Sequence, residues 1–204
     1  MASGRERMIE PLRTGDHITP TFAPDGKSIA FMANFEDASY AYLLDVASGK
    51  LAQVSKAPLL ATLHMSLEFT ADGKSLVAVV IPDNRGPAPT HGPNGIEDGP
   101  TVRMTNSRAV PTPVYWSLLL DPHDKAQLKY YTTGQLVVMD IAKKTVRKVG
   151  EPRMIRAVEA SSDAQYFTVT SMVEPFSYLV QVSAFGSVRE LWDANGKVMA
   201  TLQT

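Results

Sequence analysis

Three arginines, Arg85, Arg103 and Arg108, stand in a stretch crowded with glycine and proline, "PDNRGPAPTHGPNGIEDGPTVRMTNSRAVPTP". A guanidinium offers a planar fork of donors that matches a carboxylate, so arginines on such an insertion could grip an acidic group of a ligand. Glu97 and Asp98 lie in the same stretch, and pairing with them or plain solvation is the commoner fate of such side chains. Arg85 and Arg108 are carried forward as candidate substrate-binding residues.

Other chemistry is thinly represented. There is no Gly-x-Ser-x-Gly elbow, so the nucleophile arrangement of an α/β-hydrolase is not written in these residues. The four histidines, His17, His64, His91 and His123, are scattered and show no metal-binding spacing. The acid pairs Glu36–Asp37 and Glu97–Asp98 fall in turn-like sequence and read as solvated loop residues. Glycines near Gly86 to Gly99 are interleaved with prolines and do not form a phosphate-binding loop. No catalytic residue, cofactor or metal site is expected, and the chain alone is not expected to be an enzyme.

Charge and composition narrow the partners. Twenty basic and 21 acidic residues give a formal charge of −1, which lacks the basic excess that drives binding to nucleic acid. The densest basic stretch, Lys143 to Lys148, sits beside a turn and reads as a solvated hairpin end. The longest aliphatic run, Leu76 to Ile81, is six residues, against the ~20 needed to cross a bilayer. No membrane partner is expected, and a soluble chain is. The start, "MASGRERMIEPLRTG", has no apolar core of a signal peptide, so any such segment is expected upstream of a truncated start. With no cysteine, nothing fixes the compartment.

The elements that must position these residues announce themselves by repetition. "FAPDGKSIAF" begins at Phe22 and "FTADGKSLVAV" at Phe69, 47 positions later. Aspartate binds local backbone and glycine takes a positive φ, so each Asp-Gly-Lys reverses the chain. After each turn comes a strand that is apolar on both faces: Ile29 and Phe31 point one way, Ala30 and Met32 the other. Such a strand belongs between layers. "YAYLLDV", "ASGK" and "LAQVS" then read as a second hairpin. A degraded third copy, "ASSDAQYFTVTSM", turns at Ser162 and Asp163 and is followed by "YLVQV", "AFGS" and "VRELW", read as the corresponding hairpin. Gly49 lies 24 positions after Asp25, and Gly186 lies 23 after Asp163.

Asp72 to Asp163 spans 91 positions, 44 more than the 47-residue period, and residues 82–125 number 44. That segment, holding Pro87, Pro89, Pro93, Pro100, Pro111 and Pro113, reads as an insertion within the second unit. Tyr115, Leu118 and Leu119 suggest a short helix near Val114 to Leu120. Pro122 is expected to interrupt it, with a further helical turn from His123 to Tyr130. "QLVVMDIAKKTVRKV" resumes the unit as its second hairpin.

Four short antiparallel strands recurring every 40 to 50 residues or so are the sign of a β-propeller blade. The fold expected is therefore all-β: a partial, open propeller of about three to four blades, with one Pro/Gly-rich insertion carrying a short helix. Residues 1–15 form a tail, and 16–204 form the propeller, with units at 16–56, 60–149 (insertion 82–125) and 152–192 and a final hairpin strand at 197–202. Open terminal blades should present apolar faces and strand edges, which favours self-association.

On "IPDNRGPAPTHGPNG", "YYTTGQLVVMD", "VEASSDAQYFTVTSMVEPFSYLVQVSAFG" and "RELWDANGKVMATL", the chain resembles the N-terminal β-propeller of prolyl oligopeptidase family serine peptidases, especially the glutamyl endopeptidase branch. It departs from that branch at Pro113, where an arginine is expected, and at Trp116–Ser117, where a Gln-Asp pair is. The resemblance implies a non-catalytic propeller that caps a C-terminal α/β-hydrolase domain of the same parent chain and gates peptide substrates. The compartment of the parent stays open, with the periplasm and the outside of the cell among the candidates. A free-standing propeller-like module that binds protein or peptide is the alternative.

Overall fold

The computed structural model describes residues 16–90 and 118–204, which form three four-stranded antiparallel sheets. Blade 1 comprises β1 (Asp16–Phe22), β2 (Ser28–Asn34), β3 (Ser39–Asp45) and β4 (Leu51–Gln53). Blade 2 comprises β5 (Glu68–Phe69), β6 (Ser75–Val80), β7 (Gly134–Asp140) and β8 (Thr145–Arg153), with helix α1 (Pro122–Thr132) between β6 and β7. Blade 3 comprises β9 (Ile155–Ala160), β10 (Tyr166–Met172), β11 (Ser187–Asp193) and β12 (Val198–Gln203). The sheets do not close into a barrel.

Blade 2 shows why its central strands are apolar on both sides. Leu76, Ala78, Val80, Val137 and Met139 pack with Ala30, Met32 and Ala41 of blade 1. Val77, Val79, Leu136 and Val138 pack with Val158, Phe167, Val169 and Trp192 of blade 3. The β6–β7 register places Leu76 opposite Met139 and Val77 opposite Val138, so alternation alone sends each set to its own neighbour. Full burial of each such aliphatic side chain stabilises by roughly 1.5–3 kcal/mol.

Every sheet has the same polarity. The β1–β2 and β3–β4 types of turn lie at one end, and the β2–β3 connections lie at the other. At the turn end, aspartates fasten the chain reversals: Asp25 and Asp72 accept from the amides of Lys27 and Lys74, and Asp163 from that of Gln165. Gly26 and Gly73 adopt φ +69° and +68°, and in the third copy Ala164 takes φ 52°, a residue with a Cβ holding the glycine conformation. Hydrogen bonds hold several turn carboxyls below their ordinary 3.8: from Ser48 for Asp45, the Lys74 amide for Asp72, the Lys143 amide for Asp140, Ser161 for Asp163 and the Lys197 amide for Asp193.

Three expectations need correction. "YLVQV" is not a strand: β10 pairs along its length with β11, Ser187–Asp193, and residues 178–182 belong to the connection between them. The counterpart of the Gly49 turn is thus Gly196 (φ +83°), not Gly186, and β12 is the fourth strand of blade 3. The helix starts at Pro122 instead of being interrupted there, because Asp121 caps it and Pro122 occupies its first turn; Leu118 to Leu120 are not helical, and 114–117 lie outside the described residues. On the outward side of blade 3 polar pairs, with Glu159 accepting from Thr168 and Arg189, stand beside the exposed ring of Tyr166.

Blades 2 and 3 meet most tightly where Gly150 of β8 abuts Gly196. A Cβ built on Gly196 would lie 2.1 Å from the Gly150 backbone, and one built on Gly150 would lie 2.9 Å from the Trp192 ring. The buried Gln135 amide donates to the carbonyls of Leu136, Val149 and Gly150, and the Gly150 amide donates to Asn195. Gly196→Ala should therefore cost about 2–4 kcal/mol, combining left-handed strain with overpacking. Gly26→Ala, where φ is +69° but nothing lies within 4 Å, should cost only about 1–2 kcal/mol. Urea denaturation of the two variants checks the difference.

Candidate functional site at the loop end

The second-to-third-strand connections of blades 2 and 3, β6–β7 and β10–β11, gather at the end opposite the Asp-Gly turns, and they hold irregular structure able to touch a ligand. Helix α1 is the firmest part. Asp121 accepts from the Asp124 amide at 2.9 Å, and Asp124 in turn accepts from the Leu120 amide at 2.7 Å, so the helix start is fastened from both sides.

Its C-terminal end has no capping glycine, and its last carbonyls accept from side chains, two from threonines at the helix end and two from other segments. Leu128 O accepts from Thr132 Oγ1 at 2.6 Å, and Lys129 O from Thr133 Oγ1 at 2.6 Å. Tyr130 O accepts from Arg85 Nε at 3.1 Å and Nη2 at 2.7 Å, and Tyr131 O from Thr62 Oγ1 at 3.0 Å. A cation at this end also meets the negative pole of the helix dipole. The Arg85 guanidinium lies 4.1 Å from the Tyr130 ring centroid, and Tyr130 returns a hydrogen bond to Gly86 O. Arg85 is thus a clamp between the start of the insertion and its end. Arg103, Arg108, His91, Glu97 and Asp98 lie outside the described residues.

A small core supports the helix. Met154, Met172, Phe176 and Phe185 are buried together, with Leu63, Leu119, Leu128 and Val182 against them. Phe176 and Phe185 stack at 5.4 Å. Arg156 of β9 donates to the carbonyls of Val182 and Phe185, fixing the β10–β11 connection. Lys129 pairs with Glu174 at 3.0 Å, and Lys125 Nζ sits 3.7 Å from the Tyr178 ring centroid. Beyond them Leu179 is 85% exposed. No signal in the residues singles out Lys125, Lys129 or Glu174, whose contacts arise where α1 meets the β10–β11 connection.

Two clefts flank the helix, one of about 390 Å3 over Lys125, Lys129, Glu174 and Phe176, the other of about 270 Å3 beside Asn84, Arg85, Tyr130 and Pro152. A larger cleft of about 440 Å3 lies at the turn end between blades 2 and 3. Its polar groups are committed to structure: Arg147 donates to the carbonyls of Ala194 and Ala164, and Asp72, Asp140 and Asp163 hold their own turns. Among the described residues no three His, Asp or Glu side chains are grouped to hold a metal, and no helix is long and apolar enough to cross a membrane.

His64 lies inside the support of this end. Its ring shares a 2.9 Å hydrogen bond with Ser66 Oγ, and burial holds its pKa below the ordinary 6.5, partly offset by a bond with the Arg156 backbone. Glu68, two residues beyond Ser66, is pushed above its ordinary 4.5 by burial and by the neighbouring charge of Glu159.

No family model matches the chain. The chain is similar to the rice (Oryza sativa subsp. japonica) protein named "Probable glutamyl endopeptidase, chloroplastic", with 26% identity over 211 residues, covering 98% of this chain and 22% of that protein. It is equally similar to the Arabidopsis thaliana protein of the same name, 26% over 206 residues, covering 97% and 21%. The chain thus spans about a fifth of the length of the curated relatives it matches. Among solved structures, acylaminoacyl peptidase from Pyrococcus horikoshii superposes with a TM-score of 0.53 at 19% identity, over 93% of this chain and 25% of that one. The β-propeller domain of the trilobed protease from Pyrococcus furiosus gives 0.51 at 9%, over 93% and 43%. TolB from Acinetobacter baumannii gives 0.53 at 14%, over 100% and 36%. The fold is a partial β-propeller, as expected from the repeats.

The His64 shift has a defined sign. The unfolded ring takes up a proton near 6.5 while the folded ring resists it, so stability falls as pH drops below 6.5 toward the folded value. Glu68 runs the other way, its contribution fading as pH rises above 4.5. His64→Gln should flatten the loss of urea stability just below pH 6.5, and an unchanged slope would show that another group sets it.

Proposed function

We propose that this chain is the propeller part of a serine peptidase, a non-catalytic cover that limits which peptides reach an α/β-hydrolase domain in the same parent protein. The observation that carries the reading is similarity along nearly the whole chain to about a fifth of two proteins named glutamyl endopeptidase. The peptidase fold match supports the architecture but, at 19% identity, not the activity.

The mechanism is exclusion. A cover acts as a size filter only if its rim is rigid, since a loose rim would yield to a folded protein. The fastening of α1 by Arg85 and Thr62 at one end and by Asp121 at the other supplies such a rim, braced on blade 3 through Lys129 and Glu174. Arg85 then bears on substrate through the helix it ties down, with the cleft of about 270 Å3 at its side. Arg108 remains the candidate for direct contact with a peptide carboxylate. The open edges of the three blades further favour self-association of the isolated chain, to be read as a mass above 22.2 kDa by light scattering.

The test uses the longer protein that carries this chain. A short unstructured peptide should be cleaved much faster than a folded protein containing the same sequence. The double variant Arg85→Gln, Thr62→Val should raise cleavage of the folded protein several-fold relative to the peptide, because about 1–2 kcal/mol of fastening is lost per hydrogen-bonded group. Equal cleavage of both substrates by the unaltered protein would remove the exclusion role.

A further inference from the structure

Blade 1 carries a cavity of about 180 Å3 at its loop end, lined by Phe35, Asp37, Tyr40, Tyr42, Gln53 and Lys56. Its floor is locked: Tyr42 is 8% exposed and its hydroxyl donates to Gln53 Oε1 at 3.1 Å, while Gln53 Nε2 donates to Ser55 O at 2.8 Å. Phe35 stands 6.3 Å from Tyr40 and 6.2 Å from Tyr42, so three rings form one wall.

The charges at the mouth are unusual for this molecule. Asp25, Asp45, Asp72, Asp140, Asp163 and Asp193 all spend their carboxylates on amides of their own turns. Asp37 also sits in a short chain reversal, closed by the Phe35 amide donating to Ala38 O, but among the described residues its carboxylate has no partner. Lys56 faces the same cavity and is likewise without hydrogen bond or ion pair among the described residues, as is the Tyr40 hydroxyl. The cavity thus joins an uncommitted anion, an uncommitted cation and a phenol over an ordered aromatic floor, with no net charge.

We propose that this cavity binds a small zwitterion, an amino acid or the two termini of a dipeptide, with the ligand's ammonium at Asp37 and the ring wall and its carboxylate at Lys56 and Tyr40. An ammonium gains from both the carboxylate and the faces of aromatic rings. A single ion gains from one charge and is repelled by the other, so the site selects ligands that carry both. This assignment does not depend on the cover reading, since it rests on blade 1 alone.

Glycine and glycylglycine are titrated into the full chain, following the Tyr40 and Tyr42 resonances by NMR, with methylammonium and acetate as single-charge controls. Saturable shifts are expected with Kd of about 1–10 mM, a strength the two charge contacts reach only together with the phenol and the ring wall. Asp37→Asn and Lys56→Gln should each weaken glycine binding about tenfold. Both residues are exposed, so the thermal midpoints of the variants should match the parent, separating lost binding from lost fold. Tighter binding of glycine assigns a free amino acid, and tighter binding of glycylglycine assigns a dipeptide. Methylammonium or acetate binding as well as glycine, unchanged affinity in either variant, or no saturable shift would each overturn the proposal.

Discussion

A sheet that is apolar on both faces has to be covered twice, and blade 2 is such a sheet. Leu76, Ala78 and Val80 demand one neighbour while Val77 and Val79 demand another, so blades 1 and 3 are held in place by a single central layer. This stacking needs no long-range code beyond alternation. It also fixes the polarity of the assembly, because successive blades that share strand order put their Asp-bearing turns at one end and their second-to-third-strand connections, long in blades 2 and 3, at the other.

That separation divides the labour of the molecule. The turn end is locally determined, with aspartates bonded within a few residues of themselves. The loop end is assembled from segments distant in sequence: Arg85 with Tyr130, Thr62 with Tyr131, Lys129 with Glu174 and Arg156 with Val182. Each bond there ties a connection to a rigid element, and together they turn what could have been a loose insertion neck into a fastened rim around shallow clefts.

The same division explains what could be read from the residues alone. The Asp-Gly-Lys turns, the doubly apolar strands and the blade repeat were legible because their causes are local: short-range hydrogen bonds, positive φ and alternation. Tyr178 to Val182 looked like a strand by the same alternation, but Phe176 and Phe185 are drawn into the small core under α1, and β10 had already found its partner in β11. Pro122 read as a breaker, although a proline after a capping aspartate begins a helix as readily as another proline ends one. The pressing of Gly150 on Gly196 and the grip of Arg85 on a carbonyl 45 positions away had no sequence signal, since each depends on how two separate elements meet.

Native-state hydrogen exchange tests the stacking most directly. If blade 2 is the shared layer, the amides of Leu76 to Val80 and Leu136 to Met139 should exchange slowest, with β2 and β10 opening at free energies that approach theirs, as one cooperative unit. Faster exchange in β6 and β7 than in β2 or β10 would contradict it, because the central layer would then be the first part to open instead of the last.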